Sequence, residues 1–183
     1  MELKDKLRES LKVNMIETIW ITDMDGTLIN TATPDWGKPY WEKKTGTPWP
    51  HVGWWGRIES IDPSVFPNDV IPQMQAEYNK VKNDPTVLKV VMTGRMEKKF
   101  GSAVKQMLDS KGLVFDVYAL NTGGETSDVK VKQMTELLSV YPNANKMVLF
   151  EDRDEHFAKF ETFGNSLDIE FELVKVVPPE VRF

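Results

Sequence analysis

The chain has 183 residues, 40% of them hydrophobic and 28% charged, with a net charge of −5. That length gives one domain with a real core and room for a small insert, and the negative balance argues against general affinity for polyanions. With no cysteine, disulfides, zinc–thiolate centres and thiol catalysis are excluded.

The first residues, Met1-Glu2-Leu3-Lys4-Asp5-Lys6-Leu7-Arg8, carry charges where a secretion signal needs an apolar segment. No apolar run approaches the ~18 residues of a membrane span. A cytoplasmic type of protein is expected. Leu3, Leu7 and Leu11 recur every four residues between charges, which predicts a short amphipathic helix.

A strand over residues 18–22 then delivers Asp23-Met24-Asp25-Gly26-Thr27-Leu28. At an extended strand tip residues i and i+2 point the same way, so Asp23 and Asp25 can share one small site. Two acids without a basic neighbour in sequence call for a cation, and oxygen-only ligation suits Mg²⁺. A calcium loop counted from Asp23 would need glycine at its sixth position and glutamate at its twelfth. Leu28 and Pro34 stand there, so that alternative fails. A chance acidic surface turn is the other alternative, but it does not need the bulky apolar run before Asp23.

From 30 to 67 the composition changes. Six prolines (Pro34, Pro39, Pro48, Pro50, Pro63, Pro67) and five tryptophans (Trp36, Trp41, Trp49, Trp54, Trp55) fall in this stretch. That many prolines predict no long regular element, and that many aromatics argue against disorder. The expectation is an ordered, irregular insert held by its own aromatic cluster, acting as a minimal cap. Within it, Trp54 and Trp55 are assigned to substrate recognition, because adjacent residues do not easily both point inward.

Beyond the insert, helices are predicted over 68–83, 96–110, 128–140 and 154–163. Strands are predicted over 87–92, 113–120, 146–150 and 169–177. Alternating helices and apolar strands give an α/β fold, a three-layer Rossmann-like parallel sheet with helices on both faces. Ligands of such sheets bind at the carboxyl ends of the strands, near a topological switch point. Thr93-Gly94-Arg95 and Glu151-Asp152-Arg153 both fall at strand ends. Thr93 and the N–H of Gly94 offer donors to a phosphate, although a Thr-Gly pair is also an ordinary cap and turn.

Four signatures in this order resemble the haloacid dehalogenase (HAD) superfamily: Asp23-Met24-Asp25-Gly26-Thr27-Leu28, Thr93, a lysine before the last acids, and Glu151-Asp152. The Trp-rich insert, the TGR triplet with Arg95, and Glu151, Asp152, Arg153, His156 and Phe160 further resemble the Swiss-army-knife RNA repair-like subgroup. The resemblance implies a phosphomonoester hydrolase with Asp23 as nucleophile and Asp25 as acid–base. It implies Mg²⁺ on Asp23, Asp152 and the backbone carbonyl of Asp25, with Glu151 and Arg95 supporting. Thr93, Gly94 and a lysine would bind phosphate. Lys130 is preferred to Lys132 for that lysine, and His51 and His156 are assigned structural roles. The implied partner is a phosphorylated substrate, such as a nucleotide or a nucleic-acid end, admitted by an open site. A phosphotransferase, and a binding module whose tryptophans stack on bases, remain alternatives.

Overall fold

A computed structural model describes residues 12–180. The expected helix carrying Leu3, Leu7 and Leu11 therefore lies outside the described residues. A five-stranded parallel sheet is built from β1 (Thr18–Asp23), β4 (Val87–Met96), β5 (Val117–Asn121), β6 (Lys146–Glu151) and β7 (Glu170–Lys175), in the order β5-β4-β1-β6-β7. A short antiparallel pair, β2 (Ile29–Asn30) and β3 (Asp69–Val70), stands apart from it. Among the described residues no helix is long and apolar enough to cross a membrane.

The strands alternate between two cores, as a sheet buried on both faces requires. Ile19 and Ile21 of β1 join Val90, Met92 and Leu149 on one face, while Trp20 joins Val91, Val148 and Phe150 on the other. Helices α4 (Thr126–Val140) and α5 (Asp154–Asn165) cover the first face through Met134, Leu137 and Phe160. Helices α2 (Pro72–Val81) and α3 (Glu97–Ser110) cover the second through Met74, Tyr78, Phe100 and Val104. Helix α5 comes so close to β7 that a Cβ on Gly164 would stand 2.1 Å from the Phe171 ring.

The connections run outward from β1 in both directions: to β4 and β5 on one side, to β6 and β7 on the other. The crevice between β1 and β6 is therefore the switch point at which such sheets bind ligands. Asp23 ends one of its walls and Glu151 the other.

The β2–β3 ladder closes the neck of the Trp-rich insert. Against expectation the insert holds a regular element, α1 (Pro34–Thr45), with Pro39 inside it. Pro34 sits at the helix start, where its missing N–H costs nothing. Pro39 forfeits one backbone bond. Packing outweighs that loss: Trp36, Tyr40 and Trp41 of α1 lie against a small core of Ala32, Trp54 and Phe66. Gly37 makes this possible, because a Cβ there would stand 2.3 Å from Trp54.

Candidate active site

Asp23 leaves β1 buried, and the following turn folds back on itself. The Gly26 N–H donates to the Ile29 carbonyl at 2.9 Å, and the Ile29 N–H donates to that of Met24 at 2.9 Å. Gly26 has a φ of +77°, a conformation side-chain-bearing residues rarely hold. A Cβ on it would also stand 2.6 Å from an Asp152 carboxylate oxygen. The glycine is thus required both by the turn and by the second acid across the crevice.

Lys130 reaches from the first turns of α4 into the crevice. Its Nζ donates to Asp23 Oδ1 at 2.6 Å and to Glu151 Oε2 at 2.7 Å, with only 2% of the residue exposed. Burial disfavours its charge, but Asp23 and Glu151 outweigh burial and raise its pKa. Lys132 lies on the outer surface, 3.9 Å from Glu136. Of the two lysines, Lys130 is therefore the one brought to Asp23.

Asp23, Glu151 and Asp152 bring a carboxylate oxygen each within 4.8 Å of one another. Burial raises the Asp23 pKa; Lys130 opposes the rise, and Glu151, Asp152 and Asp25 add to it. Burial and then the Glu151 charge push Asp152 up to about 6. Glu151 is lowered instead: burial is outweighed by His156, Lys130 and backbone N–H groups. All its acceptors are engaged, Oε1 by the N–H groups of Asp152 and Arg153 and Oε2 by Lys130 and His156. Glu151 thus orients the cluster, while Asp23 and Asp152 keep oxygens for a cation. An all-oxygen set under mutual repulsion suits Mg²⁺. Thr27 fixes Asp152 through a 3.0 Å bond to its Oδ1.

Asp25 is held differently. Arg95 donates to its carboxylate from Nε at 3.2 and 3.1 Å and from Nη2 at 2.8 Å. Thr31 adds a bond of 2.8 Å and Thr93 one of 3.3 Å. Burial raises its pKa, but the Arg95 charge and these bonds lower it overall. The Asp25 carboxylate stands outside the acidic cluster, which leaves only its backbone carbonyl for a cation.

Arg95 reaches Asp25 because the β4–β5 register shifts between Thr93 and Met96, as at a bulge that re-aims a side chain. Its Nη1 donates to Ser60 Oγ at 2.6 Å and to the Trp55 carbonyl at 3.0 Å. Lys99 adds a bond to the Gly56 carbonyl. These contacts fasten the inner loop of the insert beside the site.

Two cavities meet here. A smaller one of about 190 Å³ is lined by Asp23, Gly94, Thr126 and Lys130, with His156 on its wall. An outer one of about 310 Å³ is lined by Asn30, Thr33, Trp36 and Asp152 among others. Gly94 and Lys130 line the smaller cavity. Thr93 does not: it is buried, and its hydroxyl bonds Asp25 and accepts the Arg95 N–H. Its hydroxyl is taken up by these two residues, and Thr126 lines the pocket instead.

Trp54 also departs from expectation. It is 3% exposed, and its indole N–H donates to the Ala32 carbonyl at 2.7 Å. It belongs to the insert's core and presents no face to a ligand. Trp55 is 38% exposed and lines both cavities. Adjacent residues do diverge, so one points in and the other out. Sequence reasoning missed Thr126, Thr27, Thr31 and Ser60, since single hydroxyls in loops carry no spacing signal. His51 pairs with Glu59 at 3.1 Å within the insert.

Residues 51–182 match the family described as HAD domain family 1 in Swiss Army Knife RNA repair proteins. The chain belongs to this family. The matched stretch begins beyond Asp23 and Asp25, which join the rest of the site through the sheet. Among solved structures, the HAD domain of effector protein Lem4 from Legionella pneumophila is similar, at a TM-score of 0.52 and 12% identity. The likeness covers 91% of this chain and 90% of that one, and at this identity it shows the fold alone. Comparison with curated proteins gave no match. Membership supports a phosphatase or hydrolase of the HAD type in general terms.

Proposed function

We propose that the chain is a Mg²⁺-dependent phosphatase that hydrolyses a phosphomonoester through an aspartyl-phosphate on Asp23, with a nucleotide or nucleic-acid end as substrate. One observation carries this reading. The Asp23 carboxylate is held by Lys130 at 2.6 Å in a cavity it shares with Gly94 and Thr126, beside the carboxylates of Glu151 and Asp152.

In the first half-reaction a carboxylate oxygen of Asp23 bonds to phosphorus as the bond to the leaving oxygen breaks. Asp25, ionised in the free site, takes the proton carried by the phosphomonoester monoanion and passes it to that oxygen. In the second, water attacks phosphorus, Asp25 takes the water proton, and the bond to Asp23 breaks to release phosphate. Arg95 keeps Asp25 ionised, the state required to accept that proton. Lys130, the Gly94 N–H and the Thr126 hydroxyl face the phosphoryl oxygens, where charge spreads in the transition state. Mg²⁺ on Asp23, Asp152 and the Asp25 carbonyl would offset repulsion between carboxylate and phosphate.

Asp23→Asn removes the nucleophile, so turnover on a panel of phosphomonoesters should vanish. Asp25→Asn should slow it by about 10²–10⁴-fold, the usual worth of acid–base help. EDTA should abolish activity and Mg²⁺ restore it. Rates in Asp23→Asn equal to wild type, or activity indifferent to EDTA, would overturn the reading.

A further inference from the structure

The two cavities share three residues, Asp25, Trp55 and Arg153. Asp25 is committed to Arg95, so Trp55 and Arg153 form the rim between the place where phosphate reacts and the place where the leaving group must lie. The cations at this mouth differ in how they are satisfied. Lys130 is neutralised by Asp23 and Glu151, and Arg95 by Asp25. Arg153 engages Glu151 only through its backbone N–H. Its guanidinium lies 5.8 Å from the centre of the Trp55 ring. Among the described residues no carboxylate comes within ion-pair distance of it.

A half-buried guanidinium over an aromatic ring, with no carboxylate partner among the described residues, is organised to receive an anion. The reacting phosphoryl already meets Lys130 deeper in the crevice. The other charged residues lining the outer cavity are the acids Asp25, Asp152 and Glu180, so Arg153 is the one cationic lining residue among the described residues. Trp55 and Trp36 give the same cavity two aromatic side chains. Its volume of about 310 Å³ falls in the range of small-molecule pockets.

We propose that Trp55 and Arg153 form a leaving-group subsite that holds a planar base together with a second phosphate. The preferred substrate is then a nucleoside that bears a phosphate in addition to the one removed. The inference rests on the phosphatase reading and deepens it. Two sources present this chemistry, a mononucleotide bisphosphate and a phosphate-ended strand whose next phosphodiester is the second anion.

The test compares kcat/KM of the full chain on adenosine 3′,5′-bisphosphate, a 3′-phosphate-ended dinucleotide, adenosine 3′- and 5′-monophosphates, ribose 5-phosphate and p-nitrophenyl phosphate. The doubly charged substrates should exceed the monophosphates by roughly 10- to 100-fold, the range for hydrogen bonds to charged groups. Whichever of the two leads identifies the source. In Arg153→Ala the ratio should fall close to one, and Arg153→Lys should restore part of it. Trp55→Ala should lower the ratio of adenosine 5′-monophosphate to ribose 5-phosphate about tenfold, as loss of a stacked base does.

Should Arg153→Ala fail to fold, Arg153→Gln and the salt dependence of the wild-type ratio give the same reading, because screening weakens an exposed charge contact. A wild-type ratio near one, or equal loss on every substrate in the Arg153 variants, would overturn the proposal; the second outcome would place Arg153 on the reacting phosphate. Calorimetry with adenosine 3′,5′-bisphosphate and adenosine 5′-monophosphate reads recognition without turnover. An inactive chain that still prefers the bisphosphate would sink the phosphatase reading alone, and an active chain without that preference would sink this one alone.

Discussion

Lys130 and Lys132 stand two positions apart on α4, which turns their side chains about 200° from one another. One points into the crevice against Asp23 and Glu151; the other lies in solvent beside Glu136. Lys130→Ala leaves Asp23 and Glu151 buried without their cation and strips the phosphate of its counter-charge. It should cut kcat/KM by at least about 100-fold, in line with the loss of one preorganised electrostatic contact. Lys132→Ala should change it less than about twofold. Circular dichroism of both variants separates loss of chemistry from loss of fold. If Lys132→Ala is the more damaging change, the assignment of the lysine is wrong. Sequence narrowed the lysine to two because both follow the same strand; only the helix phase, set by Met134 and Leu137 packing on the sheet, chooses between them.

Elements position the site through their ends. Glu125 caps α4, accepting from the N–H groups of Ser127 at 3.1 Å and Asp128 at 2.9 Å and from the Ser127 hydroxyl at 2.6 Å. The Ser127 contacts and then the Asp128 N–H lower its pKa to about 2 from an ordinary value of 4.5. The folded value lies below the unfolded one, so the cap's ionic stabilisation is fully present above pH 4.5 and disappears as pH falls towards 2. The group is largely in solvent, so screening keeps its worth to about 1 kcal/mol or less. Urea melts of wild type and Glu125→Ala should differ by that amount at pH 7 and converge as pH falls to 2. A gap that widens on acidification would contradict this.

The insert makes a similar contrast testable. Trp54→Ala removes a fully enclosed ring from its core and should cost about 3–5 kcal/mol. Trp55→Ala removes an exposed one and should cost about 1 kcal/mol or less. Thermal melts decide it: equal losses would mean that the two rings are not divided between core and surface. Pro39 and Gly37 hid α1 from the sequence, because local propensity disfavours the helix that aromatic packing then holds.

For the molecule as a whole, the site exists only when residues 23–26, 93–95, 126–130 and 151–153 come together. A cation bound to Asp23 and Asp152 ties two of those segments and finds no such site in the unfolded chain. Mg²⁺ at 100 times its Kd should therefore stabilise the fold by about 2.7 kcal/mol, a rise of roughly 5–10 °C in Tm for a chain of this size. Asp152 holds a proton up to about pH 6 without the ion. Binding displaces that proton, so the rise in Tm should be full above pH 6 and shrink as pH falls below it. Asp152→Asn should lose most of the shift. A wild-type Tm indifferent to Mg²⁺ at pH 7.5 would remove Asp152 as a ligand.

The sequence by itself determined the parallel α/β fold, the positions of Asp23, Asp25, Glu151 and Asp152, and the meeting of Asp23, Glu151 and Asp152 at strand ends. Apolar runs long enough for buried strands dictate such a sheet, and a strand's last residue has one place to go, its carboxyl edge. Tertiary structure alone decided the roles that depend on direction: Thr93 turned onto Asp25, Trp54 inward and Trp55 outward, Arg95 re-aimed by a register shift. A side chain's direction follows from helix phase, pleat and packing partners far away in sequence, and none of these is written at the position itself. Arg153 shows the same limit, since its lack of a carboxylate partner among the described residues is a property of its neighbours in space.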